Sequence, residues 1–423
     1  MPLKIGIFSG MPELPPVRRR LHIQAFSWTL YALQNAGLMV RPLDMESLME
    51  AARRRTGLTN FGDIVFHEPL RRLLDSCNNE ARLNNIGKLV CSEDIVQLLC
   101  NRLEIQRDLE NWPDIARQPI SAPIFITGLP RSGTTLLHNL FTQDEREFHA
   151  PATWEVMFPS PPPFAGQENY PRIKRAETNL AWFNLLVPEF RKIHAMSARF
   201  PQECVAILSH SFMSDQFDTM FDIPTYQTWL ERQDMRPAYA YHRQFLQHLQ
   251  YGGPVRRFVL KAPNHMFSPE ALFAIYPDAQ IIQTHREPLE VLPSIASLMT
   301  VMRSAFSDFV DPTAIGSEMI RFWKATLHGF LDDRKKLPGR AVYDVRFTDL
   351  VRDPIAVVGE LYRELGNEFT VEVENRMRSF LSRHPNSQYG NHSYAMASFG
   401  LNPVEVDRDF AVYRERFGLE RVG

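Results

Sequence analysis

The run Pro123-Ile-Phe-Ile-Thr-Gly-Leu-Pro-Arg-Ser-Gly-Thr-Thr-Leu-Leu-His138 constrains the fold of this chain more than any other feature. A buried apolar strand over 124–127 gives way to the pattern Gly128-x4-Gly133-Thr134-Thr135, and a helix follows from near Thr134 to about Phe141. The glycines let backbone N–H groups turn inward toward an anion, and the helix start adds its positive dipole end and two hydroxyls. This is P-loop spacing without the Walker lysine, because Thr134 stands where the G-x-x-x-x-G-K-[ST] pattern requires Lys. That lysine serves the β- and γ-phosphates of a triphosphate, so its absence argues against ATP or GTP. Arg131 supplies positive charge from within the loop instead, which suits a nucleotide carrying a single phosphoryl-type group at its 5′ position.

Three further strands are legible, over 257–260, 280–284 and 342–345, and Ser268 followed by Pro269 starts a short helix between the first two. Strands alternating with helices imply an α/β fold, a P-loop-type parallel sheet flanked by helices, in which ligands bind beyond the carboxyl ends of the strands. Ahead of the sheet the pattern is helical. Asp44 is a candidate N-cap for a helix carrying Leu48, Met49 and Ala52 and ended by Gly57, and a second helix shows Leu70, Leu73, Leu74 and Cys77 on one face. A third is expected to start at Ser92, with Glu93 and Asp94 in its first turn and then Ile95, Leu98, Leu99 and Leu103. Pro159–Pro163 reads as a surface loop, and a helical insertion that includes residues 239–250 extends from there to Gly252. The expected organisation is an N-terminal extension (1–42, with a helix over 22–36), a helical region (43–121), and an α/β core (122–423) with a helical insertion at about 154–252.

With 47 Lys and Arg against 49 Asp and Glu, no global field draws the chain toward nucleic acid or an acidic membrane, so any anion site must be local. The four cysteines (Cys77, Cys91, Cys100, Cys204) show no metal-ligand spacing and are expected as free thiols in a reducing compartment. Apolar runs of about eight residues fall far short of the roughly 20 that span a bilayer, and the N-terminus lacks a signal-peptide pattern. A cytoplasmic protein without a transmembrane segment is the expectation.

The segment Gly128-Leu-Pro-Arg-Ser-Gly-Thr-Thr-Leu-Leu137 resembles the 5′-phosphosulfate loop of sulfotransferases that use 3′-phosphoadenylyl sulfate (PAPS), above all their bacterial-type branch. Leu58-Thr-Asn-Phe-Gly-Asp63, Pro201-Gln-Glu-Cys204, Leu260-Lys-Ala-Pro-Asn-His265, Thr284-His-Arg-Glu-Pro288 and Phe399-Gly-Leu401 are similar to family landmarks and occur in family order. The resemblance implies transfer of a sulfuryl group from PAPS to a hydroxyl, with adenosine 3′,5′-bisphosphate as leaving product and no metal. It assigns the 5′ end of PAPS to Arg131, Ser132, Gly133, Thr134 and Thr135, and the 3′-phosphate to Arg286 and Ser294. Arg with a hydroxyl is good phosphate chemistry, because the guanidinium offers a planar fork of donors.

Lys261 ends an apolar strand where a lone lysine is costly to bury, which favours a pocket anion; with Arg131 it is the candidate for stabilising the leaving charge. His265 is the candidate base, since imidazole titrates near neutrality, although the family's eukaryotic members hold their histidine closer to the lysine. A helix-capping role is the alternative for His265, and His194 and Glu155 are rival bases. Departures from the eukaryotic branch are Arg131 for its loop lysine, Leu136 for the tryptophan that stacks on adenine, and no evident C-terminal basic-glycine segment. After the last strand comes Arg346-Phe-Thr-Asp-Leu350, where Phe347 can pack on adenine. The aromatic residues Trp154, Phe158, Phe164, Trp182, Phe183, Phe200, Phe212, Phe217, Phe221, Tyr226 and Trp229 favour a small lipophilic acceptor, with helical core as their other use. A P-loop kinase or NTPase and a non-catalytic nucleotide-binding scaffold are the competing functions.

Overall fold

A computed structural model of the chain describes residues 42–163, 169–190, 196–337, 341–384 and 396–420. The expected helix over 22–36 and the candidate base His194 lie outside them. Five parallel strands form one sheet: β1 (Ile124–Gly128), β2 (Phe148–His149), β3 (Arg257–Lys261), β4 (Gln280–His285) and β5 (Val342–Arg346). Their order is β2-β3-β1-β4-β5. The chain leaves β1 toward one edge and leaves β4 toward the other, so a crevice opens at the carboxyl end of β1. The four expected strands are present, each extended by one residue. β2 was not legible because it is two residues long and pairs only with β3.

Side-chain alternation divides the sheet into two faces. Ile124, Ile126, Val259, Ile282 and Val345 lie under the helix Thr134–Phe141 and the helices Pro354–Glu364 and Val371–Arg383. Phe125, Leu260 and Ile281 face the other way, into a core shared with the N-terminal helices Met45–Thr56, His67–Asn79 and Asn85–Asn111. That core also takes in the helices Arg236–Gln250 and Pro288–Phe306.

Asp44 caps the first helix as expected, accepting the Ser47 N–H at 2.9 Å. The third helix starts seven residues before the expected Ser92, at Asn85, because Asn84 accepts the Gly87 N–H at 2.9 Å. The Asn84 N–H in turn donates to the Phe306 carbonyl at 2.9 Å. This tertiary tie decides the start, and nothing local to Ser92 reveals it.

The expectation of no membrane-length apolar segment needs correction for one element. The helix Pro288–Phe306 has the length and apolarity of a membrane span. Here it is an interior helix, with Val291, Leu292, Ile295, Ala296, Met299, Met302 and Phe306 in the core. The cysteines are free thiols, all four buried.

Candidate active site

The turn after β1 is held from within. Gly128 (φ 137°) and Gly133 (φ 91°) occupy backbone conformations that disfavour side chains, and Arg131 joins them at φ 67°. A β-carbon on Gly128 would stand 2.4 Å from Thr284 Oγ1 and 2.5 Å from the Thr284 carbonyl oxygen, so the loop grazes β4. Gly128→Ala is therefore expected to dislodge the loop and lower the unfolding temperature of the chain, read by differential scanning calorimetry.

Ser132 serves this internal scaffold. Its buried hydroxyl donates to the Leu129 carbonyl at 2.5 Å and lies 2.6 Å from Thr284 Oγ1, and its N–H donates to Leu129 at 3.2 Å. The N–H through which Ser132 is expected to meet a phosphate, like its hydroxyl, is engaged inside the turn in this structure. Thr134 is buried and Thr135 exposed at the first turn of the helix Thr134–Phe141. His138, one turn along, ties that helix to β3 by donating to the Val259 carbonyl at 3.1 Å; burial pushes its pKa down to about 3, so the ring stays neutral.

Cations approach the loop from both neighbouring strands. On the β3 side, Lys261 is only 3% exposed. Its ammonium donates to Thr135 Oγ1 at 3.3 Å and to the Glu203 carboxylate. On the β4 side, Arg286 donates to the Arg131 carbonyl at 2.8 Å and to Glu290 at 2.8 Å. Its guanidinium lies 4.0 Å above the Phe347 ring. Phe347 also closes against Gly133, where an added β-carbon would meet it at 3.2 Å. Ser294 sits two turns into the helix Pro288–Phe306, nearly buried.

Glu203 is the residue that sequence reasoning missed as part of the site. Its segment is docked beside the sheet by the Gln202 N–H to the Pro151 carbonyl (2.8 Å) and the Thr153 N–H to the Phe200 carbonyl (2.9 Å). The usable signal was the Pro201-Gln-Glu-Cys204 landmark, an acidic side chain in an otherwise apolar setting. A second carboxyl lies in this region: Asp215 accepts a hydrogen bond from Asn264, and burial, reinforced by the Glu203 charge, raises its pKa to about 7.

His265, the expected base, is placed apart from the Lys261–Glu203 cluster. By strand alternation Lys261 shares the face of Val259, toward the loop helix. The 3-10 turn Pro263–Met266 carries His265 to the opposite face, where its ring packs edge-on to Phe125 at 4.8 Å. Its Nδ1 lies 2.9 Å from the Tyr239 hydroxyl, it is fully buried, and burial drives its pKa well below the usual value. We expect its ring resonances not to move between about pH 5 and 8 in a proton NMR titration, unlike an exposed histidine. The helix-capping alternative is not seen either, since the ring meets Tyr239 and not the helix at Pro269.

Glu155 is likewise structural. It accepts the Ala152 N–H at 2.7 Å and contacts His149 at 3.2 Å. Burial acts to raise its pKa, but His149 and the Ala152 N–H outweigh that and hold the carboxyl below its usual range. Of the aromatic residues expected to line an acceptor pocket, Trp154, Phe158, Phe212, Phe217, Phe221 and Tyr226 are buried as core. Phe183, Phe200 and Trp229 are half-buried, Trp182 is 62% exposed, and Phe164 lies outside the described residues. Among the described residues no cluster of three or more His, Cys, Asp or Glu side chains could hold a metal ion.

Residues 123–371 match a family model described as "Sulfotransferase family". In fold the chain is similar to the sulfotransferase STF1 from Mycobacterium tuberculosis H37Rv, with a TM-score of 0.78 and 30% identity over 88% of this chain and 99% of that one. It is similar also to the sulfotransferase STF9 from Mycobacterium avium, with a TM-score of 0.79 and 26% identity over 90% and 98% of the two chains. In sequence it is 27% identical over 314 residues to the omega-hydroxy-beta-dihydromenaquinone-9 sulfotransferase Stf3 of Mycobacterium bovis, covering 71% of this chain and 76% of that protein.

Proposed function

The chain belongs to the sulfotransferase family and is a sulfotransferase enzyme, and from that premise we propose that it moves a sulfuryl group from PAPS to the hydroxyl of a small lipophilic molecule. The observation that carries this proposal is the placement of Lys261 and Arg286 at the carboxyl ends of the two strands flanking β1, one cation on each side of the glycine turn. A sulfuryl donor that also carries a 3′-phosphate calls for two separate cations, Arg286 for that phosphate and Lys261 for the charge that gathers as the sulfuryl group departs, whereas a triphosphate needs a lysine within the turn.

The cradle fits the nucleotide chemically. Gly133 leaves open the space above Phe347 and Leu350 that a β-carbon would crowd, and the first turn of the loop helix begins directly after it with Thr134 and Thr135. Arg131, Gly133, Thr134 and Thr135 are assigned to the 5′ phosphosulfate, and Arg286 and Ser294 to the 3′-phosphate. Phe347 is assigned to the adenine side.

In the reaction the acceptor oxygen attacks sulfur in line with the bridging oxygen of the 5′-phosphate. An S–O bond forms to the acceptor as the bridging S–O bond breaks, and the electron pair leaves with adenosine 3′,5′-bisphosphate. Lys261, with Arg131, stabilises the charge gathering on the departing oxygen. Glu203 takes the acceptor's proton in place of His265, because it is the carboxylate at hydrogen-bond distance from Lys261 and thus beside the reacting atoms. No step calls for a metal.

A lipophilic acceptor is favoured by the name of the mycobacterial dihydromenaquinone sulfotransferase, which denotes a hydroxylated apolar substrate. The half-buried Phe200 lies three residues before Glu203 and supplies apolar surface on the segment that leads to it. Residues 154–252 are assigned to the acceptor side and 43–121 to support of the core. Buried free thiols and balanced charge agree with action in the cytoplasm, on a small molecule and not on a nucleic acid.

Two measurements test the proposal. Calorimetry should find adenosine 3′,5′-bisphosphate bound at least about tenfold more tightly than ATP. Incubation with sulfur-labelled PAPS and a lipid extract should then transfer label to an organic-soluble product. Tighter binding of ATP would overturn the assignment in favour of an NTPase, and binding without transfer would favour a scaffold.

A further inference from the structure

We propose that the C-terminal helices Pro403–Asp409 and Ala411–Phe417 form a positioning element for Arg286, gripping the residues on either side of it so that its guanidinium is presented to the nucleotide's 3′-phosphate. This rests on the assignment of Arg286 to that phosphate.

Arg286 is flanked by two residues that the C-terminal helices hold. His285 is buried, with Nε2 donating to Asp344 Oδ1 at 2.8 Å and Nδ1 accepting from the Tyr413 hydroxyl at 2.8 Å. The Phe417 ring stacks on its imidazole at 3.7 Å. Asp344 is itself fixed by Arg334, which donates to both carboxylate oxygens at 2.7 and 2.8 Å. On the other flank, Glu287 faces Arg414 at 3.9 Å, and both are nearly fully buried. Arg414 is braced in turn by Asp407 at 2.5 Å. The helices are anchored at their start through the buried Val406 and by the Asp409–Lys324 ion pair at 2.9 Å.

Between these two fixed residues Arg286 projects the other way, against the Arg131 carbonyl and the Phe347 ring. A guanidinium at the end of a flexible side chain gains affinity for a phosphate only to the extent that its base is already immobile. None of the gripping residues needs to touch the nucleotide. The C-terminal helices thereby acquire a role that the bare landmark Phe399-Gly-Leu401 left unassigned.

The experiment compares affinities for adenosine 3′,5′-bisphosphate and AMP, which differ only in the 3′-phosphate, by calorimetry on the full chain. Arg286→Ala comes first: it should abolish most of the preference for the bisphosphate, and if it does not, the assignment of Arg286 itself fails. With that control in hand, Tyr413→Phe and Glu287→Gln are measured separately. Each should weaken bisphosphate binding by roughly five- to twentyfold while leaving AMP within about twofold. Equal weakening of both nucleotides, or no change in either, overturns the positioning role while leaving that of Arg286 standing. Thermal unfolding of each variant, with the far-UV circular dichroism at the assay temperature, confirms that the folded chain is what is titrated. The Glu287 variant lies on the opposite flank, so a misfolded Tyr413 variant does not remove the test.

Discussion

Lys261→Ala should lower sulfuryl transfer by roughly a hundred- to a thousandfold, the loss that follows removal of one preorganised group facing a developing charge. Affinity for adenosine 3′,5′-bisphosphate should change by less than about threefold, because the cradle and Arg286 remain. The reason lies in what surrounds the ammonium. It is 3% exposed at the end of an apolar strand, a position that water does not compensate, and its partners are one hydroxyl and one carboxylate. Such a charge acts at short range in a medium of low polarisability, so its effect is greatest when a neighbouring oxygen turns anionic. The measurement is the initial rate of label transfer from PAPS alongside a calorimetric titration. A variant that transfers at more than about a third of the parent rate would remove Lys261 from the chemistry.

Glu203→Gln should cost a comparable factor, about a hundred- to ten-thousandfold in turnover, with nucleotide affinity preserved. Glutamine keeps the length of the side chain and still accepts a hydrogen bond from Lys261, but it cannot take a proton from the acceptor. If the carboxylate were only a counter-ion to Lys261, the amide would leave most of the turnover in place and reduce thermal stability instead. The two roles are thus separated by one variant read in two ways. His265→Gln provides the contrast. It removes a buried imidazole on the far face of the sheet, so stability should fall through the lost packing on Phe125 and Tyr239, and turnover per folded molecule should not.

Much of this architecture is written locally in the chain. The strands β1, β3, β4 and β5 are short β-rich runs ended by polar or glycine residues, and the Asp44 cap and the Gly128–Gly133 turn have signatures that need no tertiary context. The start of the helix Asn85–Asn111 was not legible because it depends on the carbonyl of Phe306, more than two hundred positions away. The placement of His265 was not legible for a related reason. Its nearness to Lys261 in sequence says nothing about which side of the sheet each reaches, and the 3-10 turn at Pro263 reverses the side. Glu203 escaped notice because its partner is 58 residues distant, on a strand that the intervening insertion brings back to it. The internal use of the Ser132 hydroxyl, which closes the turn on the Leu129 carbonyl, has no local signature either.

The face of the sheet formed by Phe125, Leu260 and Ile281 is covered by helices contributed from residues 45–111, in one continuous apolar body. The stretch that matches the family model, 123–371, therefore does not amount to an autonomous unit. Expressed by itself it would present a bare oily surface to solvent and precipitate or recruit chaperones, whereas adding back the preceding eighty residues or so together with the helices after residue 371 should restore a monodisperse product. Anyone trimming this enzyme for crystallisation or swapping its catalytic half into a relative would have to carry that helical cover along with it.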